Sequence, residues 1–326
     1  MRLVLIGAGR WAERHARTIA DTSGVTLDTV VSTQSVKRAF GARQWCRDMA
    51  SVPWARIDGA IIASATPSHY QLACETILRG IPTLVEKPLT TTSVQSQLIR
   101  QLARKKNVLV MVALVHLFSD AFKALREQLA GQRIHIIRGV AGNAGPYRPD
   151  CNALWDYGPH DIGMALALLG GRTFRATRTI RASDLRIANV SLTKDKRGGA
   201  TTHVQLTASF RMPKATFDPG LHSVEIELEF GSAMRRKARW FEAITASERF
   251  LYDDLATPKL TRTRAGIIEP IELGSGLPLG RTIQAFCHAI QARQRKHETL
   301  SLSIESCRLL ERIERAVARS ITPTTA

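Results

Sequence analysis

The sequence predicts a mixed α/β protein of two domains: an amino-terminal doubly wound (Rossmann) parallel sheet over residues 1–118, and a carboxyl-terminal α+β domain with an open, mostly antiparallel sheet over residues 119–326. Short apolar runs alternate with helical patterns in the first third, which is typical of βαβ units and a parallel sheet. Beyond the first domain, apolar and polar residues alternate with period two, which indicates antiparallel strands with one solvated face. A chain of 326 residues is also long for a single hydrophobic core.

The elements of the first domain follow from their apolar patterns. Strands are expected at residues 3–6, 25–32, 57–64, 83–85 and 108–115, and helices at 12–21, 68–79 and 92–105. Gly80 follows the second of these helices and is typical of a helix end. The run at 108–115 is fully apolar, as expected of a strand that is buried on both faces.

The second domain combines a strand-rich middle with helices at both ends. Helices are expected at residues 118–130, 159–169, 279–293 and 303–319, and period-two strands at 202–210 and 222–230 within a strand-rich stretch at 173–263. Pro159 suits the first turn of its helix, and Gly170 and Gly171 suit its end.

The charge is strongly basic, with 46 Lys and Arg against 28 Asp and Glu, a net +18. The basic residues are dispersed, and the single dense run, at 234–239, has no interleaved aromatic residues. A basic surface of this kind attracts anionic ligands. Because the basic residues are dispersed and lack interleaved aromatic residues, we expect small anionic ligands and neither nucleic acid nor a membrane as a partner. A nucleic-acid binder stays an alternative, which salt-dependent retention on DNA would reveal.

Composition excludes several classes of protein. Hydrophobic residues make up 44 % and charged residues 23 %, so a disordered chain and a fibrous protein are excluded. The five cysteines are widely spaced, without a C-x-x-C pair, so neither a disulfide framework nor a metal site is predicted. The first apolar run is too short for a signal peptide, and no run approaches the roughly 18 residues of a membrane span. A cytoplasmic location is expected.

A glycine-rich loop follows the first predicted strand and opens a helix. The segment Gly7-Ala8-Gly9-Arg10-Trp11-Ala12 fits the G-x-G-x-x-[G/A] pattern of dinucleotide-binding folds. Its first glycine permits a tight turn, and its second lets a pyrophosphate approach the backbone at the helix amino terminus. Gly7, Gly9, Arg10 and Trp11 are therefore predicted to bind the cofactor, although Trp11 also suits a core position.

The end of the second predicted strand bears on the choice between NAD and NADP. NAD-selective folds carry an acidic residue there that binds the ribose 2′-hydroxyl, whereas this chain has Ser32. Hydroxyls at Ser32 and Thr33 and the cations at Lys37 and Arg38 can surround a 2′-phosphate instead. Asp28 is four residues too early. The sequence therefore predicts NADP(H) as the cofactor, with NAD(H) as the alternative.

Three later segments extend the pattern. They are Thr66-Pro67-Ser68-His69, Glu86-Lys87-Pro88 and Asp156-Tyr157-Gly158-Pro159-His160. With the glycine loop, this ordered set resembles the family of glucose–fructose oxidoreductase and inositol dehydrogenase, whose hallmarks are G-x-G-x-x-[G/A], T-P-x-x-H, E-K-P and D-x-G-x-H. The second segment is one residue shorter than the family pattern. The resemblance extends to the strand-rich second half.

The resemblance implies catalytic roles for three residues. Lys87 would lie near the nicotinamide and the reacting carbon, His160 would act as general acid/base, and Asp156 would support His160. These roles suit hydride transfer at a carbinol carbon, which also moves one proton and develops charge on oxygen. Pro159 suggests that its helix begins between Asp156 and His160, so Asp156 is expected in the turn that leads into the helix.

Further residues complete the predicted site. At the strand ends where dinucleotide folds bind ligand, Ser64, Thr66, Pro67, His69, Glu86 and Lys87 are expected to contact the cofactor or, for His69, to hold its loop. His116, Tyr147 and Arg148 are candidate substrate contacts, although His116 equally suits a plain strand end and Arg148 better suits a plain surface position.

The resemblance implies an oxidoreductase that acts on a secondary alcohol or ketone of a sugar or nucleotide-linked sugar, with NADP(H) as the cofactor that the end of the second strand predicts. The large alternating sheet of the second domain predicts a homodimer or homotetramer, because such an exposed face is usually covered. The strand that ends at His116 lacks a polar Asn-Arg cluster found in many sugar dehydrogenases. Reduction of a non-sugar carbonyl or cyclic imine therefore stays open. A non-catalytic dinucleotide-binding regulator is a further alternative, since the fold is also used in that way.

Overall fold

The structure is a computed structural model that describes residues 1–33, 40–145, 151–170, 181–194, 201–211 and 223–321. Its first sheet consists of β1 Arg2–Ile6, β2 Thr26–Val31, β3 Gln44–Cys46, β4 Gly59–Ile62, β5 Thr83–Val85 and β6 Val110–Val112. The strand order is β3-β2-β1-β4-β5-β6, and every neighbouring pair is parallel. The expected doubly wound sheet is confirmed, in the strand order of dinucleotide-binding folds.

Three helices accompany these strands: α1 Arg10–Ala20, α2 His69–Leu78 and α3 Ser93–Lys106. Thr92 caps α3 by accepting the backbone N–H of Gln95 at 3.2 Å, and Asn107 ends it in the left-handed conformation with φ of 56°. These two end signals explain why the helix predicted at 92–105 differs from α3 by only a residue at each end.

The last strand of this sheet is shorter than predicted. Only Val110–Val112 of the apolar run is a strand, and Val115–Phe118 forms a 3-10 turn. The ladder stops because the neighbouring β5 ends at Val85, which is opposite Val112. The run is apolar because it is buried, not because all of it is extended. The edge strand β3 was not predicted, since its three residues are too few to show a period.

The second sheet has eight strands: β7 Ile136–Gly142, β8 Leu185–Lys194, β9 Thr201–Arg211, β10 Ser223–Gly231, β11 Ala238–Ile244, β12 Glu248–Asp253, β13 Leu260–Arg264 and β14 Ile267–Pro270. Their order is β14-β13-β12-β11-β7-β10-β9-β8. The β7–β10 pair is parallel and every other neighbouring pair is antiparallel. The expected mostly antiparallel sheet is confirmed.

The central strand β7 has no clear signal in the sequence. Its seven residues include Gly139 and Gly142, which normally weaken a strand. Here a side chain at Gly142 would lie 2.2 Å from the Gly231 carbonyl oxygen of β10. The glycine thus permits close approach of two strands that are far apart in sequence.

In the second part of the chain, the structure describes four further helices. They are α4 Asp120–Gln128, α5 Ala153–Gly170, α6 Pro278–Gln291 and α7 Glu298–Ile321. Helix α5 packs on β7, β9 and β10. Among the described residues, no helix combines the length and the apolar character that crossing a membrane would need.

The chain divides into two compact units. The first comprises residues 1–119 and 276–307, and the second comprises 120–275 and 308–326. The sequence assigns 276–307 to the second domain, whereas in the structure α6 packs against α1 and the 115–118 turn of the first unit. Phe286 and Ile290 of α6 approach β4 at Gly59, where a Cβ would lie 2.8 Å from the Ile290 side chain and 3.1 Å from the Phe286 ring. An amphipathic pattern shows that a helix is packed on one face, and it does not show which sheet lies under that face.

Candidate active site

The predicted cofactor residues of the first unit gather at one edge of its sheet. Parallel strands present their carboxyl ends at the same edge, and the loops there follow β1, β2, β4, β5 and β6. These loops carry, in strand order, the glycine motif, Ser32, Ser64, Lys87 and His116. Residues separated by more than 100 positions in the sequence are thereby collected into one candidate site.

The glycine loop has the geometry of a dinucleotide cradle. Gly7 has φ of +123°, and a side chain on it would lie 2.5 Å from the Ala63 carbonyl oxygen, so no other residue fits. Gly9 precedes α1 with φ of −78°, and no described atom lies within 4 Å of where its Cβ would be. The space that a pyrophosphate would enter is open, and Gly9 has no side chain to cap the first amides of α1. The residues present therefore fit a dinucleotide.

Two predicted cofactor residues follow directly in α1. Arg10 is exposed at the first position of the helix. Trp11 is half-buried and therefore does not occupy a core position. The Arg14 guanidinium carbon lies 4.7 Å from the centroid of its ring. Contact of either side chain with the cofactor stays a prediction.

The end of β2 carries hydroxyls rather than a carboxylate. The backbone N–H of Ser32 donates to the Cys46 carbonyl at 3.0 Å, and Thr33 is exposed beside it. Asp28 is fully buried and forms an ion pair with Arg56 at 3.0 Å, so this carboxylate is occupied within the fold. Lys37 and Arg38, the predicted 2′-phosphate contacts, lie outside the described residues.

His69 connects two of the loops. It is buried, its Nδ1 lies 2.9 Å from the Pro88 carbonyl oxygen, and its Nε2 lies 3.2 Å from the Ser64 carbonyl oxygen. The loop after β4 is thus tied to the loop after β5. In the first of these loops Thr66 and Pro67 form a 3-10 turn that leads into α2. The side chains of Ser64 and Ser68 share a hydrogen bond of 2.6 Å beside that turn.

Glu86 and Lys87 are both buried at the end of β5, with exposed fractions of 6 % and 7 %. One Glu86 oxygen lies 2.7 Å from Nε2 of His15, and the other accepts the backbone N–H of Lys87 at 3.1 Å. Burial by itself raises the pKa of the Glu86 carboxyl, but the hydrogen bond and charge of His15 and the charge of Lys87 outweigh it, so that pKa lies below its ordinary value. Glu86 is therefore a carboxylate near neutral pH.

His15 was not predicted from the sequence, although a signal for it exists. The buried face of α1 is formed by Ala12, His15, Ala16 and Ile19. A histidine on an otherwise apolar helix face needs a polar partner inside the protein. That partner is Glu86, which is 71 positions away in sequence.

His116 lies in the 3-10 turn that follows β6 and is half-buried. Its backbone carbonyl accepts the hydroxyl of Ser119 at 2.8 Å, which fixes the turn. Its contact with substrate stays a prediction. Tyr147 and Arg148, the other candidate substrate residues, lie outside the described residues.

The helix that carries Asp156 and His160 begins earlier than predicted. It starts at Ala153, with Pro159 inside it. Asn152 sets this start, because its side-chain oxygen accepts the N–H of Trp155 at 3.1 Å and its carbonyl accepts that of Asp156 at 2.9 Å. The expectation that Asp156 lies in a lead-in turn is wrong. Asp156 and His160 are four residues apart within one helix, on the same face.

Two further contacts hold α5 in the second unit. The indole N–H of Trp155 donates to Glu314 of α7 at 2.7 Å. Asp161, next to His160, forms a buried ion pair with Arg239 of β11 at 2.9 Å. Burial raises the pKa of Asp161, although the charge of Arg239 and its hydrogen bond oppose this. His160 itself is 8 % exposed, and Asp156 is half-buried.

The fold and the glycine cradle define the class of protein. Residues 1–114 match the model of the Gfo/Idh/MocA oxidoreductase family, described as having an NAD-binding Rossmann fold. The resemblance predicted from the four ordered segments is confirmed for residues 1–114, which match this family.

Two curated relatives are similar to part of this chain. Inositol 2-dehydrogenase 2 of Saccharopolyspora erythraea is 30 % identical over 57 % of this chain and 59 % of its own length. UDP-N-acetylglucosamine 3-dehydrogenase of Acidithiobacillus ferrooxidans is 24 % identical over 63 % of both chains. The chain thus matches about 60 % of the length of these two curated relatives.

Solved structures extend the likeness to the second unit. A putative oxidoreductase of Magnetospirillum magnetotacticum has a TM-score of 0.78 and 28 % identity, covering 95 % of this chain and 98 % of its own. KijD10, a 3-ketoreductase from Actinomadura kijaniata solved with NADP and TDP-benzene, also has a TM-score of 0.78, at 17 % identity and 97 % coverage of both chains. At that identity the second likeness concerns the fold alone.

Proposed function

We propose that this chain is an NADP(H)-dependent oxidoreductase that transfers a hydride to or from a secondary alcohol or ketone of a sugar or nucleotide-linked sugar. The observation that carries the proposal is the buried Lys87 at the same sheet edge as the glycine cradle. A cation held there without solvent suits an oxygen that gains negative charge during reaction. A regulator that only binds a dinucleotide has no need of it.

Each proposed catalytic residue has one task. A bound nicotinamide would supply or accept the hydride. The Lys87 ammonium would donate a hydrogen bond to the reacting oxygen, and His160 would give or take the accompanying proton. Asp156, on the same face of α5, would support the imidazole of His160. Glu86 and His69 would hold the loop that carries Lys87.

The substrate class rests on the relatives. Two of them are named as dehydrogenases of inositol and of UDP-N-acetylglucosamine. The net charge of +18 suits a phosphorylated or nucleotide-linked substrate. A non-sugar carbonyl or cyclic imine is the second candidate, because the strand before His116 ends without the Asn-Arg cluster of many sugar dehydrogenases.

The test is a screen of the purified protein against nucleotide sugars, keto sugars, polyols and cyclic imines, in which turnover is measured as a change in the absorbance of NADPH. Turnover on a sugar class is the expected result. Turnover on imines alone would replace the proposed substrate by the second candidate. If NADPH binds and no compound turns over, the regulator becomes the better interpretation.

Cofactor preference gives a separate prediction. NADPH is expected to bind more tightly than NADH, because Ser32 leaves room for a 2′-phosphate that a carboxylate would repel. Ser32→Asp is expected to reverse this preference, as measured by titrating nucleotide fluorescence. Ser32→Ala, at the same position, is the matched variant without added charge. A wild-type preference for NADH would contradict the proposal.

We also propose a homodimer or homotetramer assembled through the second sheet. Along β10 exposed and buried residues alternate, so one face is packed and the other remains open to a partner. A sheet face of this size is usually covered. Sedimentation at micromolar concentration is expected to show the oligomer, and a monomer would refute it. The cytoplasmic location stays a prediction.

A further inference from the structure

One carboxylate connects the cofactor-binding helix to the backbone at Lys87. Glu86 Oε1 lies 2.7 Å from His15 Nε2, where the two side chains are 7 % and 0 % exposed. Glu86 Oε2 lies 3.1 Å from the backbone nitrogen of Lys87. The chain of contacts therefore runs from α1 through Glu86 to the residue proposed to stabilise the reacting oxygen.

The chemistry of the pair fixes the direction of both hydrogen bonds. Because its pKa is lowered, Glu86 is ionised and can only accept. His15 Nε2 is therefore the donor, and Lys87 N–H is the second donor. Hydrogen bonds to a charged acceptor are short and roughly twice as strong as neutral ones, so the carboxylate has a well-defined position.

Helix α1 gives the pair a functional location. It begins at Arg10, immediately after Gly9 of the glycine cradle, and His15 lies about one and a half turns further along it. The regular geometry of the helix over this short distance sets the position of the Nε2 donor relative to the cradle. The Lys87 backbone is thus held against the element that binds the cofactor.

We propose that His15 is a positioning residue for Lys87, acting through the Glu86 carboxylate. The proposal rests on the proposed function, because it takes Lys87 to be the group that contacts the reacting oxygen. A displacement of about 1 Å in such a group is enough to cost on the order of 100-fold in rate.

The test compares His15→Leu with His15→Gln. Leucine fills the space without a donor, whereas the glutamine amide offers a donor near the position of Nε2. His15→Leu is expected to lower kcat by about 10- to 100-fold with little change in KM or in the Kd of NADPH. His15→Gln is expected to restore most of that loss. A purely structural role would move the unfolding temperature of His15→Leu and leave kcat of the folded enzyme unchanged.

A second readout needs neither substrate nor cofactor. Hydrogen exchange of the Lys87 backbone amide reports directly on its bond to Glu86. Exchange at Lys87 is expected to accelerate in His15→Leu, to stay slow in His15→Gln, and to stay slow in Ile19→Val, a core change on the same buried face of α1. Unchanged exchange in His15→Leu would overturn the proposal whether or not the proposed activity is found.

The pH dependence distinguishes positioning from loss of fold. Among the described residues, the charged groups that act on Glu86 are His15 of α1 and Lys87 of its own loop. His15→Leu removes the hydrogen bond from His15, which lowers the pKa of Glu86 more than any other interaction does. The burial that raises this pKa remains. Protonation of Glu86 then begins at higher pH, so turnover of His15→Leu is expected to fall on the acid side of neutrality where the wild type is still active.

Leaving Glu86 charged and buried without His15 is destabilising, so a further variant combines His15→Leu with Glu86→Gln. The double variant removes the buried charge and keeps a similar shape. Its kcat is expected to stay low, since the link from α1 to Lys87 is still broken. Recovery of wild-type kcat in the folded double variant would show that the pair serves stability alone.

Discussion

His160→Ala is expected to lower turnover on the proposed substrate by about 10²–10⁴-fold, the usual contribution of a general acid/base. Lys87→Ala is expected to lower it by a similar factor, because a hydrogen bond from a buried ammonium to the reacting oxygen strengthens as charge develops. Neither side chain belongs to the glycine cradle. Both variants should therefore still bind NADP(H), measured by nucleotide fluorescence.

Asp156→Asn is expected to lower turnover less than His160→Ala does. Asp156 lies one helical turn before His160, so it can orient the imidazole without taking part in proton transfer. Its loss is expected to cost less than the loss of His160. Near-wild-type turnover in His160→Ala would refute the acid/base assignment, and His116 or Tyr147 would then be tested next. Near-wild-type turnover in Lys87→Ala would refute the role from which the proposed function is argued.

Gly7→Ala is expected to destabilise the protein, whereas Gly9→Ala should weaken cofactor binding with little effect on stability. At Gly7, the positive φ alone costs about 1–3 kcal/mol for a residue with a side chain. The clash at 2.5 Å is with the Ala63 carbonyl oxygen, which is backbone and cannot rotate away. The unfolding temperature of Gly7→Ala should therefore fall, and its affinity for NADP(H) should fall with it.

At Gly9, a methyl group meets no described atom, and the backbone angles suit any residue. The cost to stability is expected to be at most about 1 kcal/mol, the difference between Gly and Ala before a helix. The methyl group would project into the space assigned to the pyrophosphate. A loss of affinity of about tenfold is expected, the equivalent of one charge-assisted hydrogen bond. Equal affinities of wild type and Gly9→Ala would show that the cofactor does not use this cradle.

Several features of the site were accessible from the sequence because they depend on local chemistry. The glycine motif is readable because Gly7 adopts a conformation that other residues avoid, and its neighbours specify a strand, a turn and a helix in succession. The absence of an acidic residue at Ser32 is likewise a property of one position. Period-two alternation in β9 and β10 is readable because it reflects the two faces of a single strand.

Helix α5 begins earlier than the sequence predicts for a physical reason. Proline is favoured in the first turn of a helix, which made Pro159 a natural start. In the structure the helix begins at the cap formed by Asn152, and burial of α5 along most of its length offsets the hydrogen bond that Pro159 cannot donate. Tertiary packing thereby placed Asp156 inside the helix.

The sequence by itself determined the two fold classes and the cradle glycines, because each follows from neighbours within a few positions. The candidate catalytic residues came from the family resemblance, and their roles stay predictions. The tertiary structure alone decided that β7 lies at the centre of the second sheet, that α6 belongs to the first unit, and that His15 contacts Glu86. These outcomes are pairings between distant segments. Local periodicity shows that a face or a polar group must be buried against a partner, and only the packing of the whole chain selects that partner.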